Sequence, residues 1–286
     1  MKPLTSFAHL PEGETYENTY GAWLNLFRAV AEAEEKPSLF EVPASWAPLL
    51  FYLGADIQTV RSHFPEDKLT DFLPLDLEVA EARGMLRELV EVYSALRPEL
   101  VDALYKSDVE WYTVGRRHHC MKLDFKVTCN GSFFRPEVMK YLRETLPSYQ
   151  QTKNKCVIVP CAADKPYPAP LHRAVRENIT EDYEIIVASG VLGLIPESLW
   201  GRAPNYDSGM PYEWRVMQSV LEFFDEHRYD RILVYSEYNA LAIKKGLRDA
   251  SLGPPTVVFL FQPRYYDAYE NLLDPKHLAR LREAAK

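Results

Sequence analysis

No window of the 286 residues approaches the roughly 18 apolar residues that a membrane-spanning helix needs, and the opening MKPLTSFAHLPEGETYEN lacks an apolar core of signal-peptide length. A soluble, cytoplasmic protein with no membrane partner is expected. Cysteine is scarce: Cys120, Cys129, Cys156 and Cys161 are too few and too unevenly placed for a disulfide scaffold, which points to a reducing compartment. There is no surplus of basic side chains, with 33 Lys and Arg against 41 Asp and Glu and a net charge of −8. That excludes a generic polyanion binder with cations spread over its surface. There is no internal repeat and no low-complexity run. Neither the dinucleotide-binding glycine spacing nor the phosphate loop ending in Lys-Ser/Thr occurs, so nucleoside triphosphate chemistry has no support.

What is present is an ordinary globular composition, 47% apolar and 26% charged, with enough length for about two domains at roughly 150 residues each. Charge is unevenly distributed. Residues 1–110 carry 9 basic and 20 acidic side chains, 111–155 carry 9 and 3, and 156–286 carry 15 and 18. Helical periodicity in 21–35 and 75–96, with no convincing strand series, predicts a mostly helical N-terminal domain over 1–110. Residues 111–150 read as a basic strand and helix connecting segment. Met121, Leu123, Phe125 and Val127 alternate there before an Asn130-Gly131 turn.

From residue 151 to 286 the pattern becomes that of βαβ units. The runs CVIVPC (156–161), YEIIVAS (183–189), RILVYS (231–236) and TVVFLF (256–261) read as strands buried on both faces, as in a parallel sheet. Helices are expected over 171–178, 211–227 and 237–250 and at the C-terminus, with Trp214, Met217, Val220, Leu221 and Phe224 packing one of them on the sheet. The predicted fold is a three-layer α/β domain around a four-stranded parallel sheet. Ligands collect at the carboxyl ends of such strands, which singles out the segments after Cys161, Ser189, Ser236 and Phe261.

The segment PCAADKPYPAPLH (160–172) concentrates Cys161, Asp164, Lys165, Tyr167 and His172, and Pro160, Pro166, Pro168 and Pro170 stiffen it. A stiff loop carrying reactive groups suits a preorganised site, although prolines that merely shape a turn would read the same way. Gly190 and Gly193 suit a close backbone approach to a flat ligand or to another loop. Ser236 and Glu237 follow the third strand, where a carboxylate meets an amine or simply a helix dipole. Arg116, Arg117, Lys122, Lys126, Arg135 and Lys140, interleaved with Trp111, Tyr112, Phe133 and Phe134, suit either a phosphate-facing surface with stacking aromatics or a solvated basic face. Neighbouring strand residues point to opposite faces, so His118, His119 and Cys120 do not converge on one ion, and no metal site is expected.

Four stretches carry a resemblance: RPEVMKYLRETLPSYQ (135–150), KCVIVPCAADKPYP, EIIVASGVLGLIPESLW and PNYDSGMPYEW. Together they resemble the core domain of archaeosine synthase, a tRNA-modifying family related to the tRNA-guanine transglycosylases, with phage homologues that make 7-deazaguanine DNA. Pro160, Cys161, Lys165, Pro166 and Tyr167 match its Pro-Cys-Ser-x-x-Lys-Pro-Tyr motif. Gly193, Leu194, Pro196 and Glu197 match a second run, and Tyr206 with Asp207 a third. Ala162 stands where the family has Ser, both later serines are absent, and His172 comes one position early.

The resemblance implies a fold similar to uracil-DNA glycosylases and an amidine-forming transferase. The implied reaction adds an amine, lysine or ammonia, to the nitrile of 7-cyano-7-deazaguanine in a nucleic acid, with no cofactor beyond that co-substrate. In that reading Cys161, with Lys165 beside it, supplies a thiolate. Asp164 or His172 moves protons, and Asp207 anchors the base or the amine. Pro160, Tyr167, Ser189, Gly190, Gly193, Glu197, Tyr206, Ser236 and Glu237 line the substrate site, and Arg116, Arg117, Lys122, Lys126 and Arg135 meet the nucleic acid. A chain too short for the full archaeal architecture makes DNA the expected substrate ahead of tRNA. The rival readings are a non-catalytic base-binding module and a glycosylase-like base-exchange enzyme acting on a flipped base.

Overall fold

The computed structural model describes residues 47–52, 58, 74–95, 100–101, 104–105, 108, 124–128, 130–162, 165–207, 212–237, 239–253, 256–262 and 271–286. The chain divides into two compact units, residues 1–122 with 126–136, and residues 123–125 with 137–286, so the division runs through the segment 111–150.

In the first unit the described residues include helices α1 (Ala47–Tyr52), α2 (Pro74–Ala82) and α3 (Leu86–Ala95). The continuous helix predicted over 75–96 is two helices. Gly84 takes φ +65°, and the Met85 and Gly84 amides turn back to the Ala80 and Glu81 carbonyls at 2.6 and 2.8 Å. This is a Schellman close, in which a left-handed glycine ends the helix. The predicted helix over 21–35 lies outside the described residues.

The same unit encloses a charge network. Arg87 forks onto Asp108 with two bonds of 2.7 Å and reaches Glu91 at 2.8 Å and Tyr52 Oη at 3.1 Å. Glu91 also accepts from Ser132 at 2.6 Å, and Arg135 Nη1 lies 3.4 Å from both Glu88 and Glu91. Arg135 is completely buried. The expectation that it faces phosphate is therefore corrected: its charge is matched by two interior carboxylates, the condition under which a buried guanidinium is tolerated.

The second unit is α/β. In chain order it holds β1 (Asp124–Lys126), which only begins there, α4 (Pro136–Lys140), β2 (Lys155–Pro160), α5 (Pro170–Glu177), β3 (Tyr183–Ser189) and β4 (Gly193–Pro196). Then come β5 (Asn205–Asp207), α6 (Glu213–Glu226), β6 (Arg231–Val234), α7 (Ala240–Asp249), β7 (Val257–Phe259) and α8 (Pro275–Ala284). The main sheet has five strands in the order β4-β3-β2-β6-β7, and β1 pairs with β5 in a separate ribbon.

Strands β3, β2, β6 and β7 are parallel, as the apolar runs predicted, but β4 is antiparallel to β3, with Ser189 opposite Gly193 and Ile186 opposite Pro196. The sheet is therefore mixed. A tight turn at 190–192 sends GLIP back along the edge.

Cys156, Ile158, Ile186, Ala188, Ile232 and Val234 form one face of the core with Val216, Val220, Phe223 and Phe224 of α6 and Ile243 and Leu247 of α7. Val157, Val159, Ile185, Val187 and Leu233, pointing the other way, are also fully buried, and α5 and α8 contact each other. The predicted stripe on α6 is shifted: Trp214 is 48% exposed, while Val216 and Phe223 point inward.

Gly193 illustrates how tightly the layers meet. At φ +76°, an added Cβ would lie 2.6 Å from Ser219 Cβ, and Ser219 Oγ accepts the Leu194 amide at 2.8 Å. Only glycine fits that crossing.

Candidate active site

The site begins where the ladder between β2 and β3 runs one step past its end. The Cys161 amide donates to the Ala188 carbonyl at 3.1 Å, so Cys161 continues the register beside Ser189. Cys161 is a partly exposed free thiol, unlike Cys156, whose thiol burial pushes well above its ordinary pKa. One thiol of the second unit is thus held at the surface and the other in the core.

Ser189 is fully buried and its hydroxyl bonds are accounted for. Its Oγ accepts from the Val191 amide at 3.2 Å and the Leu192 amide at 2.9 Å, and lies 2.8 Å from Tyr206 Oη. A hydroxyl has one proton and two lone pairs. With both lone pairs engaged, Ser189 donates to Tyr206, leaving the Tyr206 proton to point elsewhere. Cys161, level with Ser189 on the neighbouring strand, stands close enough to the phenol to act on its pKa. Burial, with Cys161 and Tyr167 adding to it, raises the Tyr206 hydroxyl well above the usual tyrosine range, so it stays protonated. The amides of 191 and 192, Ser189 and Tyr206 form one directed hydrogen-bond chain, with the Cys161 thiol beside it.

Lys165 sits over this chain, its Nζ 4.1 Å from the centre of the Tyr206 ring and 3.1 Å from the Ala162 carbonyl, which it donates to. Its cation rests on the ring face. Tyr167 is buried, and its hydroxyl has no hydrogen-bond partner among the described residues. Its ring packs edge-on to His172 at 5.0 Å and lies 6.0 Å from Trp200.

His172 does not fill the proton-moving role expected of it. Its ring is fully buried, Nδ1 accepts from the Ala169 amide at 3.1 Å, and Nε2 donates to the Pro160 carbonyl at 3.3 Å. Both nitrogens are engaged by backbone, which fixes the neutral tautomer with the proton on Nε2. Burial lowers its pKa from 6.5 to about 4. His172 ties the start of α5 to the end of β2 and holds the loop in shape.

Three further residues leave the expected site for reasons of chain geometry. Glu197 follows β4, whose antiparallel course carries it back toward the start of β3, where it pairs with Arg176, itself donating to the Tyr183 carbonyl at 3.0 Å. Asp207 is exposed while Tyr206 beside it is buried, because successive strand residues face opposite ways. Gly193 is occupied by helix packing, as described above. Gly190 is buried against Tyr212, whose backbone nitrogen would lie 3.4 Å from an added Cβ.

Ser236 is buried just past the end of β6, level with Pro160 when the β2 and β6 register is continued, and the Tyr235 amide donating to Ile158 at 2.9 Å supports that continuation. Glu237 is partly exposed one step further. Lys126 is exposed on β1. Asp164, Arg116, Arg117, Lys122, His118, His119, Cys120 and Cys129 lie outside the described residues. Among the described residues there is no cluster of three or more metal-ligating side chains, and no helix is long and apolar enough to cross a membrane.

Two features had no sequence signal. Asn239 stands left-handed and buried at the start of α7, and is treated below. A cavity of about 750 Å³ opens between α6, α7 and β7, lined by Trp214, Met217, Lys244, Arg248 and Phe259 among others. It shares no lining residue with the Cys161 loop.

In a crystal structure of AF0587, a protein of unknown function, the alignment has a TM-score of 0.36 at 16% identity and covers 51% of this chain and 49% of that one. The chain is 29% identical over 143 residues to archaeosine synthase from Methanocaldococcus jannaschii, a match that takes in 49% of this chain and 24% of that protein. It thus spans about a quarter of that relative's length. Residues 138–258, which hold Cys161, Ser189, Tyr206 and Asn239, match a family model described as a domain of unknown function, DUF5591.

Proposed function

We propose that this chain is a nucleic-acid modification enzyme of 7-deazaguanine chemistry, in which the second unit adds an amine to the nitrile of 7-cyano-7-deazaguanine carried in a polynucleotide. The observation that carries the reading is the hydrogen-bonded pair of Ser189 and Tyr206, held by the 191 and 192 amides beside the Cys161 thiol, in a chain that is 29% identical over 143 residues to archaeosine synthase. The layered α/β unit with four parallel strands supports the expected likeness to uracil-DNA glycosylases.

A nitrile is a weak electrophile. It reacts when a nucleophile meets carbon while a donor meets nitrogen. In the proposed sequence the Cys161 thiolate adds to the nitrile carbon, one C–N π bond breaks, and the nitrogen takes the Tyr206 proton, giving a thioimidate. A neutral amine, lysine or ammonia, then adds to the same carbon. The tetrahedral adduct expels the Cys161 thiolate, and one amine proton returns to the Tyr206 oxygen. Nitrile plus amine gives amidine, and atoms and electrons balance with no oxidant or reductant. Ser189 stabilises the transient phenolate by the hydrogen bond it already donates, and Lys165 stabilises it through its cation over the ring.

The test incubates the full chain with DNA or tRNA containing 7-cyano-7-deazaguanine plus lysine or ammonia, then weighs the digested nucleosides. The expected result is a mass gain equal to the amine, and the two polynucleotides are compared directly. Release of free base would instead establish base exchange. Binding with an unchanged base would leave a recognition module. Cys161→Ser is expected to lose turnover and the thioimidate adduct on the intact protein; full turnover in that variant removes the covalent step and leaves direct amine attack.

A further inference from the structure

Two side chains near the carboxyl ends of the central strands are buried with hydrogen-bonding groups unsatisfied among the described residues. One is the Tyr167 hydroxyl after β2, and the other is Asn239 after β6. Asn239 is 4% exposed, and neither its Oδ1 nor its Nδ2 has a partner among the described residues.

Asn239 also has φ +62° and ψ 5°, inside a turn closed by the Ala240 amide on the Glu237 carbonyl at 3.2 Å. A left-handed third position in a turn is one that glycine or asparagine supplies. That explains the backbone. It does not explain the side chain, because an asparagine chosen only for its backbone can leave its amide in water. Here the amide is enclosed and unpaired, which costs stability with no return inside the folded chain. The strands β2 and β6 meet where the strand order reverses direction, since the chain goes from β2 outward to β3 and later returns to the other side of β2. Crevices at such a point are where α/β sheets hold ligands.

A carboxamide offers one donor and one acceptor side by side, and is matched by a ring edge offering an acceptor and a donor at the same spacing. We infer that Asn239 recognises the lactam edge of a guanine-type base, its Oδ1 accepting from the ring N–H and its Nδ2 donating to the ring carbonyl. The inference rests on the proposed function for the identity of the base. In a 7-cyano-7-deazaguanine the lactam carbonyl and the nitrile lie on one side of the bicyclic ring. A residue after β6 holding the first and a thiol after β2 meeting the second then come from neighbouring strands, and Asn239 is a positioning and specificity residue.

Asn239→Gly separates the two roles, because glycine adopts the turn without strain and removes only the amide. Calorimetric titration of the full chain and of this variant uses 7-cyano-7-deazaguanine as the probe, with 7-deazapurine, which lacks the lactam, as control. The expected result is a variant melting at or above the wild-type temperature with affinity for the lactam base reduced about tenfold to a hundredfold, and a wild type that discriminates against the control. Equal affinity in the variant overturns the inference, as does a wild type that binds neither base or does not discriminate between them. The amidination assay is read separately. Amidination with Asn239-independent binding sinks only this inference, and Asn239-dependent binding without amidination sinks only the reaction.

Discussion

The buried imidazole of His172 makes a prediction that can be worked through in numbers. Burial holds its folded-state pKa at about 4 against 6.5 for the free side chain, and its two nitrogens bond the Ala169 amide and the Pro160 carbonyl. The folded pKa is the depressed one, so the unfolded chain binds the proton more readily. Stability from this group is present above the unfolded pKa and is lost as pH falls through the folded one. At about 1.4 kcal/mol per pKa step, full protonation costs about 3 kcal/mol. Between about pH 7.5 and about pH 5, where the unfolded imidazole is nearly all charged and the folded one nearly all neutral, the loss is about 2 kcal/mol. Other groups titrate over the same range, so the quantity to compare is the drop in wild type minus the drop in His172→Gln. Urea unfolding at the two pH values, followed by circular dichroism, gives both. The variant itself costs stability through its lost backbone bonds, but its pH-dependent drop is smaller by about 2 kcal/mol. Equal drops in the two proteins would refute a neutral, backbone-locked His172 and return it to the candidates for proton transfer.

Gly193→Ala forces a β-carbon against Ser219 at a left-handed φ and is expected to destabilise the second unit by about 1–3 kcal/mol in thermal melts, with Ser219→Gly relieving part of the loss. Glu184 is buried and accepts from Tyr149 and Tyr229, and burial raises its pKa from 4.5. Its folded-state pKa is the raised one, so stability falls as pH rises through that value. Glu184→Gln, which keeps an acceptor, is expected to be at least as stable as wild type near neutral pH and to lose that decline, as chemical denaturation across pH reads directly. Arg135→Ala removes the guanidinium that lies 3.4 Å from both Glu88 and Glu91, leaves Arg87 as the cation on Glu91, and is expected to cost about 3 kcal/mol in unfolding experiments, while the salt dependence of the proposed nucleic-acid binding keeps its slope. In the proposed reaction Tyr206→Phe removes the donor at the nitrile nitrogen, and a kcat lower by about a hundredfold or more with little change in KM is the expected kinetic signature.

The parallel strands were legible because burial on both faces writes an unbroken apolar run, and CVIVPC, YEIIVAS and RILVYS each became a central strand. The position of Cys161, Lys165 and Tyr167 in the segment that follows β2 was legible from where the apolar run ends. What was not legible is which way each polar group faces. Tyr206 and Asp207 are adjacent letters with opposite fates, decided by the pleat of a three-residue strand too short to show a period. Glu197 sits within eight residues of Ser189, yet a turn of three residues and an antiparallel return move it to the other end of the sheet. Arg135 lies in the most basic stretch of the chain and is its most deeply buried arginine among the described residues, because Glu88 and Glu91, more than forty residues earlier, come to meet it.

Asn239 is the converse case. Asparagine before a helix reads as an ordinary cap, yet its side chain makes no cap bond and is sealed from water. Composition and spacing report what a residue is able to bond. Only the fold reports what it is prevented from bonding. The unmet hydrogen bonds of Tyr167 and Asn239, on segments that follow two adjacent strands, mark what the folded chain leaves unsatisfied among the described residues, and a lactam edge is the chemistry that the Asn239 amide matches.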